Sequence, residues 1–104
     1  MRSITNKIKT LRTARAQAMV RVSPATIERI RKNDLPKADV LPIARAAGIM
    51  AVKKTWEILP YCHPIPIDWV EVNLDVREDS IVIEVTAEAV AKTGVEMEAL
   101  TGAS

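Results

Sequence analysis

The sequence predicts an α+β fold, an antiparallel sheet with helices packed on one face, and three observations carry that expectation. Residues 70–76 and 81–88 alternate apolar and polar side chains on either side of a short charged turn, as a hairpin with one buried face does. Residues 40–56 are almost all apolar or small, a run too long for a strand and suited to a largely buried helix. The elements follow the order strand, helix, helix, strand, strand, helix, which groups helices apart from a hairpin in the manner of α+β domains.

The first strand is predicted over Ala16–Val22, where Ala18, Val20 and Val22 alternate with Gln17, Met19 and Arg21. Ser23-Pro24 opens a helix running to about Lys32: Ser caps orphan N–H groups, and Pro at the first helical position loses nothing by lacking one. Ile27, Ile30 and Leu35 are its inward residues, and Asn33-Asp34-Leu35-Pro36 stops it. Asp39 is the expected cap of the second helix, Val40 to about Trp56, in which only Arg45, Lys53 and Lys54 are charged before the last residue. Pro42 falls in its first turn and is tolerated there. A helix apolar on most sides cannot sit on a small domain with one face in water, so it predicts an oligomer. Leu59–Pro66, with prolines at 60, 64 and 66, is a stiff extended segment. The hairpin follows, Arg77–Ser80 making its turn, and after Lys92-Thr93-Gly94 a last helix starts at Val95.

Length and composition limit what such a fold can be. At 104 residues the chain is expected to be one small domain, burying about two-thirds of the surface its unfolded form exposes. Phe is absent, and Trp56, Trp69 and Tyr61 are the aromatics, so the core is aliphatic. Cys62 is the single cysteine, which excludes an internal disulfide and a cysteine-based metal cage. The opening MRSITNKIKT has no apolar region behind its charges, and no apolar run approaches the roughly 20 residues a membrane span needs. These features predict a cytoplasmic protein without a membrane partner.

The net charge is +2, but it is unevenly laid out. Residues 1–54 hold 13 Lys or Arg against three acids, a balance of +10, and residues 55–104 hold two against 10, a balance of −8. Such polarity fits an anionic ligand for the basic half, nucleic acid, complementary subunit faces, or simply two solvated surfaces. Nucleic acid is the weakest of these, because no basic stretch is interleaved with aromatics.

Three segments carry chemistry. Lys37 sits in a loop just before a helix N-terminus, where free N–H groups favour an anion, although a solvated lysine is the ordinary reading. His63 is the only histidine, the side chain whose charge changes near neutrality, and the flanking prolines hold it in a rigid loop. A lone histidine is more often structural, and Cys62 beside it lacks the base and orienting group of a nucleophile. In Thr93–Glu98, Glu96 and Glu98 favour the positive end of the last helix. The same segment offers carboxylates and N–H groups that suit the edge of a pterin or guanine.

Lys37–Val40, Thr55–Pro64, Val70–Leu74 and Lys92–Thr101 together resemble successive motifs of the cyclic pyranopterin monophosphate synthase family, and the similarity runs from Ile4-Thr5 to the last residue. The resemblance implies a ferredoxin-like subunit and dimers assembling to a hexamer, with active sites between subunits. It implies a step of molybdenum cofactor (molybdopterin) biosynthesis, a lyase reaction that turns 3′,8-cyclo-7,8-dihydro-GTP into cyclic pyranopterin monophosphate with loss of pyrophosphate. No metal or organic cofactor is implied. By motif match Tyr61, Cys62, His63, Glu96, Met97 and Glu98 bind substrate, and Lys37, His63 and Glu98 are catalytic. Lys37 would neutralise phosphate or shuttle a proton, His63 would act as acid–base or phosphate ligand, and Glu98 would hold the ring N–H groups.

The chain departs from the family in two places. Arg2-Ser3-Ile4 replaces a Val-Asp-Val/Ile-type lead, and the family continues past the position of Ser104 to an Asp and a Lys regarded as its central acid–base pair. The sequence is thus expected to be C-terminally incomplete relative to the family. The alternative function is a catalytically incomplete member, acting as a pterin- or nucleotide-binding interaction module.

Overall fold

A computed structural model of the chain describes residues 1–36 and 39–104. The elements are β1 (Thr10–Arg21), α1 (Pro24–Arg31), α2 (Val40–Lys53), α3 (Thr55–Ile58), β2 (Trp69–Val76), β3 (Ser80–Ala91) and α4 (Glu96–Ala103). The strands form one sheet in the order β1-β3-β2, with β3 antiparallel to both neighbours. β1 and β2 therefore run the same way without touching, joined by a helical crossover, and β3 returns between them. This is the ferredoxin-like α+β arrangement that the sequence predicts.

Register decides which side chains share a face. Arg12, Ala14 and Ala16 of β1 stand opposite Ala89, Ala87 and Val85 of β3, and Val70 and Val72 of β2 stand opposite Ala87 and Val85. On that face Ala16, Val72, Val85, Ala87, Ala89 and Ala91 are buried with Val52 of α2 and Val95, Ala99 and Ala103 of α4. The core is thus small-residue rich, which lets both helices approach the sheet and each other closely. At the turn end, Arg31 of α1 donates to the Val76 carbonyl at 3.2 Å and Val22 N–H to the Asp79 carbonyl at 2.9 Å. On α2, Arg45 Nε donates to the Val72 carbonyl at 3.1 Å, which covers part of an open sheet edge.

The Ser23 cap forms as expected, its hydroxyl accepting from Thr26 N–H at 3.2 Å. Ile27 is buried, while Ile30 and Leu35 are half-buried. Three expectations are corrected. β1 starts at Thr10 rather than Ala16, because Thr10–Arg15 pair with Ala91–Thr86 although their own alternation is weak. The long helix stops at Lys53 rather than Trp56: Lys54 leaves helical geometry at φ −110°, and Thr55 Oγ1 bonds back to the carbonyls of Ala51 (2.8 Å) and Val52 (3.2 Å). Asp39 occupies the N-cap position, but its carboxylate does not cap. It accepts from Asn33 Nδ2 at 3.2 Å, while Asn33 Oδ1 accepts from Asp39 N–H at 3.0 Å. Lys37 lies outside the described residues.

Much apolar surface stays uncovered. A 12-residue strand spans about 40 Å, whereas the 14 residues of α2 reach only about 21 Å. Leu11, Met19, Trp69 and Val90, all on the sheet face opposite the core, are exposed, as are Ile43 and Met50 of α2.

Candidate functional site

The site is built where the 59–68 loop meets the first turn of α4. Cys62 N–H donates to the Leu59 carbonyl at 3.0 Å, which turns the chain, and the prolines after it keep the segment extended. Ile65 and Ile67 pack on the core and pin the loop from below. Asp68 then locks its end to the sheet: its N–H donates to the Glu88 carbonyl at 2.9 Å, and its Oδ2 accepts from Val90 N–H at 2.8 Å. From the other side, buried Val95 and Ala99 seat the first turn of α4 on β1 and β3.

Between these supports lies a cavity of about 160 Å³ lined by Tyr61, Cys62, His63, Ile65, Thr93, Gly94, Glu96, Met97 and Glu98. All six residues assigned to substrate binding thus converge in space, although two groups of three lie more than 30 residues apart. Tyr61 and Met97 are exposed at the rim, whereas Glu98 is 4% exposed. A Cβ at Gly94 would collide with the Glu96 carboxylate, so glycine there lets that carboxylate fold back over the loop.

The electrostatics centre on Glu98. Burial pushes its carboxyl above the ordinary 4.5, and the neighbouring Glu96 adds to the rise. Its own backbone N–H and the nearby His63 pull the other way. Burial likewise raises the Cys62 thiol above the ordinary 9.0, with the negative charge of Glu98 as a smaller cause. Cys62 is therefore a neutral thiol wall and not a nucleophile. Glu98, a buried carboxyl raised above its ordinary value, is suited to accept hydrogen bonds from ring N–H groups or to exchange a proton. Among the described residues, no group of three or more His, Cys, Asp or Glu side chains could hold a metal ion.

Two features escaped sequence reasoning, one at the site and one in the sheet beyond the cavity lining. His63 Nε2 lies 2.7 Å from the Arg2 carbonyl oxygen, a backbone group 61 residues away that no side-chain pattern announces. Arg12, opposite Ala89 on the core face, has a buried Nε with no hydrogen-bond partner among the described residues. Its departure from the small-apolar pattern of Ala14, Ala16 and Ala18 was the available signal.

Comparison with known proteins places the site in context. The family model described as "MoaC family" matches residues 1–104. A cyclic pyranopterin monophosphate synthase of Aquifex aeolicus is 45% identical over 98 residues, covering 94% of this chain and 39% of that protein. A probable cyclic pyranopterin monophosphate synthase of Sulfolobus acidocaldarius is 43% identical over 104 residues, covering 100% of this chain and 73% of that protein. The Brevibacillus brevis synthase is 42% identical, with 66% of its length covered. The chain thus spans between about two-fifths and three-quarters of the relatives it matches. A match that runs the whole length of the chain and includes both walls of the cavity leads to one conclusion: the chain belongs to the MoaC family.

Proposed function

We propose that this chain supplies one wall of a site that converts 3′,8-cyclo-7,8-dihydro-GTP to cyclic pyranopterin monophosphate with release of pyrophosphate, a lyase step of molybdenum cofactor biosynthesis. The observation that carries this reading is the convergence of Tyr61, Cys62, His63, Glu96, Met97 and Glu98 on one cavity, in a chain whose relatives bear the synthase name. In this reading Glu98 accepts from the ring N–H groups, His63 moves a proton or contacts phosphate, and Lys37 meets the phosphate charge. Tyr61, Cys62 and Met97 form the apolar and aromatic border of the ring site.

Size argues that the wall is not the whole site. Ligand pockets usually measure about 300–1,000 Å³, and the cavity here is smaller than that range. A second subunit closing over it would enlarge and complete it. The exposed Leu11, Met19, Trp69, Val90, Ile43 and Met50 support such an assembly, dimers forming a hexamer, because monomers rarely leave so much apolar surface in water. A cytoplasmic location fits a pathway that consumes a GTP derivative. Among the described residues no helix is long and apolar enough to cross a membrane.

Thermal-shift and calorimetric titrations with GTP and with a pterin phosphate test the reading, alongside a coupled assay for pterin product. Binding should stabilise the chain, weaken as salt screens the phosphate charge, and weaken at least tenfold, Kd rising, on His63→Ala or Glu98→Ala. No thermal shift with either ligand at any salt concentration would show the site assignment to be wrong.

A further inference from the structure

We propose that the segment Met1–Lys9 is a positioning element of the site, in which the Arg2 carbonyl selects the tautomer of His63. A carbonyl oxygen can only accept a hydrogen bond, so the 2.7 Å contact requires the proton on Nε2. In the neutral ring that leaves Nδ1 as a bare lone pair. Nδ1 takes no hydrogen bond among the described residues, and His63 lines the cavity. With Nε2 tied to the backbone, Nδ1 is the ring nitrogen left to meet a ligand in the cavity that His63 lines.

The segment is built for this contact and little else. Of its nine residues only Ile4 is half-buried, the rest being exposed. Lys7 N–H donates to the Ile4 carbonyl at 3.1 Å, and the Ser3 and Thr5 hydroxyls lie 3.2 Å apart, so the turn around Ile4 is ordered by its own bonds. That turn returns the chain from the start of β1 to the 59–68 loop. Ile4 is its one half-buried side chain, and Arg2 supplies the carbonyl. The segment carries Arg2, Lys7 and Lys9 and no acid.

The chemical consequence rests on the proton-transfer role proposed above for His63. An acidic N–H or O–H of the ligand transfers its proton to Nδ1, giving an imidazolium and a ligand anion, with no change of oxidation state. The Nε2–H···O=C bond persists through that step and strengthens as the ring becomes charged. A carbonyl here does what an orienting carboxylate does in a catalytic triad: it fixes the ring's direction and tautomer.

Because His63 is the only histidine, imidazole signals need no assignment. Long-range ¹H–¹⁵N spectra of the ¹⁵N-labelled chain read the ratio of Nε2–H to Nδ1–H forms directly. In the parent chain Nδ1 should show the shift of an unprotonated nitrogen. Deleting residues 2–8 should lower the ratio by about 2- to 13-fold, the bias that one net hydrogen bond supplies. Ile4→Asp, which places a charge at the segment's one half-buried position, should lower it in the same direction and decides the matter if the deletion prevents folding. Arg2→Ala keeps the carbonyl and should leave the ratio unchanged. A mixture of tautomers in the parent, or a ratio that neither the deletion nor Ile4→Asp moves, overturns the proposal. Since this readout needs no ligand, failure of the synthase reading would appear separately, as absent binding with the tautomer still fixed.

Discussion

Replacing Gly102 by Ala tests whether the helix carrying Met97 and Glu98 is held in place by its contact with α2. An ideal Cβ at Gly102 would lie 2.5 Å from Val52 Cγ2, 3.2 Å from the Gly48 carbonyl oxygen and 3.2 Å from Val85 Cγ1. Val52 and Val85 are 1% and 0% exposed and stiff at χ1, so neither can swing aside. Overpacking a core costs about 1–3 kcal/mol, and obstruction on three sides points to about 2–3. Removing a helical glycine offsets at most about 1 kcal/mol. The net loss is about 1–2 kcal/mol, which for a chain near this size lowers Tm by about 4–16 °C. Gly48→Ala is the control: its Cβ would stand 3.3 Å from both the Gly102 carbonyl oxygen and Val72 Cγ2, so a smaller clash is balanced by helix propensity and Tm should hardly move. Thermal melts followed by circular dichroism measure both variants, and ligand titration of Gly102→Ala reads any displacement of Glu98. If Gly102→Ala melts with the parent, or Gly48→Ala falls further than it, the close helix contact is not what holds α4.

Other outcomes follow from the same geometry. Because the Glu98 carboxyl is raised by burial, the fold prefers its protonated form, and that stability is full below the ordinary 4.5 and lost as pH climbs through the higher folded value. Glu98→Gln should therefore flatten the fall in Tm that sets in as pH rises above the ordinary 4.5, and an unchanged pH profile would contradict a raised carboxyl. The raised Cys62 thiol should alkylate with iodoacetamide at pH 7.5 several-fold more slowly than a free peptide thiol, and faster in Glu98→Gln. A rate matching that of a free thiol would count against the neutral-wall description. Ser23→Ala should cost about 0.5–2 kcal/mol in urea unfolding without changing ligand affinity, since α1 lies away from the cavity.

The sequence by itself determined what is local. Alternation over 70–76 and 81–88 requires a hairpin with one apolar face, and Ser23-Pro24 requires a helix start; both are present. Their physics involves neighbours a few residues apart, so pattern suffices. Boundaries set by long-range pairing were not legible. Thr10–Arg15 become strand because Thr86–Ala91 offer them a ladder, and the long helix breaks because the Thr55 hydroxyl finds the Ala51 and Val52 carbonyls. The residue types of the site were legible from motif resemblance, but their meeting was not. Only the packing of α4 against β1 and β3, with Asp68 tying the loop to the sheet, brings Tyr61–His63 to Glu96–Glu98. The raised Glu98 carboxyl follows from that burial. The Arg2 carbonyl at His63 is wholly tertiary: every residue carries a carbonyl, so composition holds no trace of the one that folding sets beside the imidazole.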